Sequence, residues 1–285
     1  MSAYHPAPGK PKLPFPKGAC DTHFHAVGPF DRFPLSKQAS YTPDHDAPKE
    51  KLFALHKHLG VARGVVVQSA VHGFDNSVSA DLIAAKPKNY RGVALVSPEI
   101  KTEDLKKLHA QGFLGVRFHF MKHLNSGVSI EDVIAFGKRL APLGMHLQLH
   151  LDAMLLEAML GPIARSVVPI SIDHMGRVDA SKGLNDPAFQ NLLSVADNKH
   201  VWIKVSGSER ISRQGSPWTD AAPFSRKLVA EFPERVLWGT DWPHPNLKEV
   251  PDDGVLADLV AQMAPTEAER QKLLVDNPAR FYGFF

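Results

Sequence analysis

Short apolar runs rich in Val, Ile and Leu recur eight times along this chain, separated by stretches in which helical spacing recurs. They fall at 18–26, 62–68, 92–96, 115–120, 145–151, 170–174, 202–206 and 236–240. Runs of this kind suit strands buried on both faces of a parallel sheet. Helical spacing appears at 49–59, 103–111, 130–143 and 187–198, and Gly60, Gly112 and Gly144 stand where helices would end. Eight strands alternating with helices over about 250 residues point to an α/β chain folded as a (β/α)8 TIM barrel. A doubly wound open sheet competes less well. It needs no eighth strand, and no G-x-G-x-x-G follows the first run.

The organisation expected from this pattern is simple. Residues 1–17, rich in Pro and Lys and without a signal-peptide core, read as an extended N-terminal arm. Residues 18–285 read as a single barrel domain with no repeat and no linker. Its last stretch, 267–285, reads as a helix whose aromatic tail (Phe281, Tyr282, Phe284, Phe285) packs on the barrel.

Composition removes several function classes. The single cysteine, Cys20, excludes an internal disulfide and fits a reducing cytoplasm; it reads as a small buried core residue. No apolar run approaches the roughly 20 residues of a membrane span. The formal net charge of +3, without a basic block, gives no reason to expect nucleic acid. The expected partner is a small molecule. Oligomeric state is left open.

Strands in such barrels carry chemistry at their C-terminal ends. The first run supplies His23 and His25, whose imidazoles share one side because strand side chains alternate. The fourth supplies Arg117 and His119, with His123 just beyond, and the fifth supplies His150 and Asp152. The sixth ends on Asp173 and His174. Arg210 follows the seventh, and Asp241, His244 and Asn246 follow the eighth. A lone histidine such as His119 or His146 is more simply a hydrogen-bonded core residue. Two imidazoles and a carboxylate converging on one point are different: they can bind a metal or activate a water.

The segments Asp21-Thr22-His23-Phe24-His25, Asp173-His174-Met175-Gly176-Arg177 and Trp238-Gly239-Thr240-Asp241-Trp242-Pro243-His244 are specific together. Through them, from about residue 18 to the end, the chain resembles the amidohydrolase superfamily. Within it, the chain is most similar to the 2-pyrone-4,6-dicarboxylate lactonases and their relatives. The resemblance implies hydrolysis of a small anionic lactone in aromatic-compound degradation. Asp241 would be the general base, and His23, His25 and His174 would polarise the lactone carbonyl. Arg117 and Arg210 would hold substrate carboxylates, with Tyr41, His123 and Asn246 as further substrate contacts.

Two positions depart from that family. His123 stands where those lactonases place a second arginine, with Lys122 beside it as a substitute, and an imidazole is not a bidentate clamp. His150 stands where they place a tyrosine. His23, His25, His150 and Asp241 would then form the mononuclear metal set of the wider superfamily, with His174 close by. One divalent metal is the cofactor this set implies, zinc by ligand type, and metal-independent catalysis stays open. The alternatives carried are a hydrolase of 4-sulfomuconolactone or of a sugar-acid lactone, and a metal-dependent decarboxylase.

Overall fold

The computed structural model describes residues 4–39, 41–121, 124, 127–247 and 249–284. Eight parallel strands stand side by side in chain order. They are β1 (Cys20–Phe24), β2 (Arg63–Val67), β3 (Tyr90–Leu95), β4 (Phe113–His119), β5 (His146–His150), β6 (Ile170–Ile172), β7 (Val201–Lys204) and β8 (Val236–Leu237). Helices Lys49–Leu59, Ser77–Ala85, Thr102–Ala110, Ile130–Leu140, Leu156–Ala164, Pro187–Ala196 and Ala222–Glu231 lie between or after them, giving the expected barrel. The ring closes through backbone bonds from Thr22 N to Trp238 O (2.9 Å) and from Asp241 N to His23 O (2.7 Å).

Every run predicted as a strand contains one, but several strands stop short of the predicted end. β6 ends at Ile172 because the backbone turns left-handed at His174 (φ 50°) and Met175 (φ 51°). β8 lasts two residues, and Asp241 beyond it has φ 64°. The helix Lys49–Leu59 ends on Gly60 with φ 80°, a left-handed cap that glycine takes without strain.

The barrel interior and the helix–sheet layer bury the apolar runs. Tyr282 and Phe284 of the C-terminal tail pack with Cys20, Val65, Val67, Val93 and Trp202 in a second apolar cluster. Burial pushes the Cys20 thiol far above its ordinary pKa, so it is an inert core group. Phe285 lies outside the described residues. Residues 4–17 form neither helix nor strand. Gly9 N–H donates to the Asp252 carboxylate (2.8 Å), and the Tyr4 ring sits 5.3 Å from that of Trp242. Among the described residues no helix is long and apolar enough to cross a membrane.

Candidate active site

At the C-terminal end of the strands a cavity of ≈ 110 Å³ is lined by His25, Tyr41, Arg117, His119, His150, His174, Arg177, Arg210, Asp241 and Asn246 among others. A neighbouring hollow of ≈ 260 Å³ shares Tyr41 and Asn246 and runs over Asp44 and His45. Most residues expected at the site therefore reach one place. His123 and Lys122 lie outside the described residues.

The two oxygens of Asp241 have different surroundings. Oδ2 accepts from Arg210 Nε. Oδ1 faces the Nε2 atoms of His25 (3.3 Å), His23 (3.6 Å) and His174 (3.6 Å), and it has no hydrogen-bond partner among the described residues. Burial would raise the Asp241 pKa, but the Arg210 guanidinium beside it, the largest opposing influence, holds the carboxyl well below its ordinary range. Asp241 is thus ionised at neutral pH, with Oδ1 turned toward the three imidazoles.

Each imidazole is oriented by its far nitrogen. His25 Nδ1 donates to Val67 O (2.7 Å), which fixes the ring with Nε2 turned toward Asp241 Oδ1. His174 Nδ1 pairs with Ser206 Oγ (3.0 Å). His23 Nδ1 has two neighbours of opposite sign, Lys204 Nζ and Asp173 Oδ1, both at 3.2 Å. Either tautomer of His23 therefore finds a partner. One turns a lone pair on Nε2 toward Asp241 Oδ1, the other an N–H. Burial, reinforced for His23 by Lys204, lowers the pKa of His23 well below its ordinary value, and burial brings His174 to about 3. Both rings are neutral.

A polar layer beneath the cavity supports this arrangement. Asp173 Oδ2 accepts from Arg117 Nε (2.8 Å) and Gln148 Nε2 (3.1 Å). Burial opposes ionisation of Asp173, but Arg117, His23 and Lys204 together hold its pKa well below normal. Lys204 Nζ donates to Thr22 O and Gln148 Oε1, and burial lowers its pKa to about 8. Arg117 thus lines the cavity with its Nε already committed to Asp173.

Lys204, beneath the cavity, and Arg177, in its wall, belong to the site but not to the site residues expected from the sequence. Lys204 is a single charge inside the apolar run of β7, a signal in itself, since a lysine is almost never fully buried unless paired. Arg177, read only as the end of a motif, lines the cavity. Among the described residues its guanidinium meets no hydrogen-bonding or ion-pair partner. Burial and then the neighbouring Arg210 pull its pKa down to about 10. The carboxylates of Asp241, Glu209 and Asp152 offset only part of that shift, so Arg177 stands in the cavity wall as a cation without a close ion pair.

Three groupings of ligand-type atoms within 4.8 Å occur among the described residues: His23–His25–Asp241, His23–Asp173–His174 and Glu209–Asp241–His244. His150 belongs to none of them. Its Nδ1 is 3.1 Å from His119 Nδ1, and its Nε2 is buried without a partner. Its ring centre is 5.9 Å from that of His174. The imidazole that completes the set around Asp241 Oδ1 is that of His174. Seven described residues have left-handed backbones without being glycine, and six of them lie in the segments after β6 and β8: His174, Met175, Arg177, Asp241, His244 and Asn246. Each such residue costs about 1–3 kcal/mol and persists where its surroundings over-determine it.

Comparison with known proteins places this geometry. The amidohydrolase family model matches residues 20–284. A 2-pyrone-4,6-dicarboxylate hydrolase of Comamonas testosteroni is 42% identical, over 96% of this chain and 93% of that protein. A 4-sulfomuconolactone hydrolase of Rhizobium radiobacter is 41% identical, over 94% and 91%. The crystal structure of a probable 2-pyrone-4,6-dicarboxylic acid hydrolase from Acinetobacter baumannii, with citric acid bound, superposes with a TM-score of 0.85 at 27% identity, covering 94% of this chain and 100% of that one.

Proposed function

The chain belongs to the amidohydrolase family, and we propose that it uses water to open a small lactone carrying carboxylates, of the 2-pyrone-4,6-dicarboxylate type. The observation that carries this reading is a buried carboxylate, Asp241, one oxygen of which faces three imidazoles, in a cavity also lined by Arg117, Arg177 and Arg210. The names of the Comamonas and Rhizobium relatives, both lactone hydrolases, support it. So does the citric acid held by the Acinetobacter protein, since citrate is itself a small polycarboxylate. In this reading residues 18–285 are one catalytic domain and residues 1–17 an arm against it.

The reaction follows from the geometry. Arg177, with the outward faces of Arg117 and Arg210, binds the substrate carboxylates and sets the lactone carbonyl over the imidazoles. Such positioning alone supplies several kcal/mol of barrier reduction. Asp241 Oδ1 takes a proton from water, whose oxygen attacks the carbonyl carbon. His23, in its Nε2–H form, and His174 donate to the developing oxyanion. The tetrahedral centre then collapses, the bond to the ring oxygen breaks, and Asp241 returns its proton to that oxygen. The new carboxylic acid ionises, so one proton is released per turnover. Tyr41, whose hydroxyl burial holds protonated with a pKa near 12, and Asn246 line the wall against which the ring lies.

The donor set also suits a divalent cation. His23, His25 and Asp241 would hold it through two imidazole nitrogens and one carboxylate oxygen, with His174 Nε2 3.6 Å from the same carboxylate, a composition that fits zinc. Bound there, it would supply Lewis-acid polarisation of the carbonyl and acidify a water.

The near-equal identity of the Rhizobium relative favours one second reading, a lactone with a sulfonate in place of a carboxylate. Both readings are tested by following proton release and loss of the ring chromophore with each lactone in turn. Turnover of the pyrone dicarboxylate with kcat/KM at least about tenfold above that of the sulfolactone supports the first. The reverse ratio assigns the second, and turnover of neither defeats both.

A further inference from the structure

β8 is too short to form a ladder with β1, yet the carboxylate of the base lies against two imidazoles of β1. A buried side chain joins the two edges. Asp21 Oδ1 accepts from His23 N (3.0 Å) and Thr240 N (3.1 Å). Asp21 Oδ2 accepts from Thr240 Oγ1 (2.6 Å) and lies 3.3 Å from His56 Nε2. Thr240 Oγ1 in turn accepts from Trp242 N (3.1 Å). Residues 240 and 242, on either side of the left-handed Asp241, are thus tied to one hydroxyl and one carboxylate. The approach is close: a Cβ on Gly239 would lie 2.6 Å from His23 N and 2.9 Å from Asp21 Oδ1.

We propose that Asp21 and Thr240 are positioning residues, which set the register of Asp241 against His23 and His25 and hold its backbone in the left-handed conformation. The proposal rests on the base role read above for Asp241. Neither residue touches substrate, and neither lines the cavity. A carboxylate suits position 21, because two backbone N–H groups and the Thr240 hydroxyl all donate to it. Without the Thr240 hydroxyl, Trp242 N loses its acceptor and Asp241 is free to leave its conformation, taking Oδ1 away from the three nitrogens. A misplacement of about 1 Å at a reacting group costs on the order of 10²-fold in rate.

The test compares Thr240→Val, which keeps the shape and removes the hydroxyl, with Thr240→Ser, which keeps the hydroxyl, and runs Asp241→Asn beside them. Expected are a kcat for Thr240→Val lower by about 10²-fold with KM near wild type, and recovery in Thr240→Ser. Binding of the inert planar pyridine-2,4-dicarboxylate should be equal in all three. Wild-type kcat in Thr240→Val with an inactive Asp241→Asn overturns the positioning role alone. An active Asp241→Asn overturns the base assignment beneath it. If Thr240→Val and Asp21→Asn both fail to give a native melt, the pair is a folding element and the proposal falls.

Discussion

Arg210 donates through Nε to Asp241 Oδ2, so the guanidinium that reaches the cavity also grips the base. An anion bound by Arg210 is thereby registered to the oxygen that faces the imidazoles. The same contact, more than any other, keeps Asp241 ionised against its burial.

Asp241→Asn should therefore abolish turnover and leave binding. A neutral amide cannot take the proton from water, and losses of about 10²–10⁴-fold are typical for a removed general base. Stopped assays of ring opening, paired with calorimetric binding of the pyrone, would check this. Turnover near wild type would remove Asp241 from its assigned role.

Arg177→Met should move affinity and stability in opposite directions. Losing a charge-assisted hydrogen bond of about 1.5–3 kcal/mol raises KM by roughly 10- to 100-fold. The ligand-free protein, relieved of a largely desolvated cation beside Arg210, should melt at an equal or higher temperature. Arg177→Lys should recover little of the affinity, because an ammonium cannot grip a carboxylate bidentately. An unchanged KM would show that the anion lies elsewhere.

Zinc offered to the chelator-treated protein should occupy one site, read by elemental analysis and calorimetry without reference to activity. His25→Ala should lose that equivalent, because His25 Nε2 is in the grouping around Asp241. His150→Ala should keep it. If His150→Ala is the variant that loses zinc, the fifth strand supplies the ligand and the set drawn here is wrong.

Acid should destabilise the fold well before its carboxylates titrate. His146 and His174 have folded pKa values near 3, through burial, against 6.5 for an ordinary histidine. Between those limits the unfolded chain binds more protons, so stability rises with pH. Their contribution is full above about 6.5 and is lost as pH falls toward 3. At pH 4.5 the loss is about 2–3 kcal/mol per histidine. Melts from pH 7.5 to 4.5 should therefore fall continuously. A flat profile would mean that these rings are protonated in the native state.

The strands are legible in the sequence because burial on both faces leaves unbroken aliphatic runs. Their ends are not legible, because the left-handed turns at His174 and Asp241 are set by tertiary bonds, such as Asp241 N to His23 O, that no local pattern encodes. The gathering of His23, His25, His174 and Asp241 follows from strand ends alone. The choice between His150 and His174 beside the base does not. It depends on His150 turning its Nδ1 to His119, a contact across two strands. Lys204 was visible as a charge in an apolar run, but its partners come from β1, β5 and the end of β6.

The reacting groups come from the two edges of the sheet that meet last: β1 brings two imidazoles, and the segment after β8 brings the carboxylate. During synthesis more than two hundred residues separate the emergence of His25 from that of Asp241. At about 5–20 residues per second the nascent chain spends some ten to forty seconds as an open fan of strands. On the proposed mechanism a chain that ends before Asp241 lacks its base, and the outer edge of β1 stays open until the segment around β8 arrives. Chaperone demand should peak in that interval and end abruptly when the ring shuts.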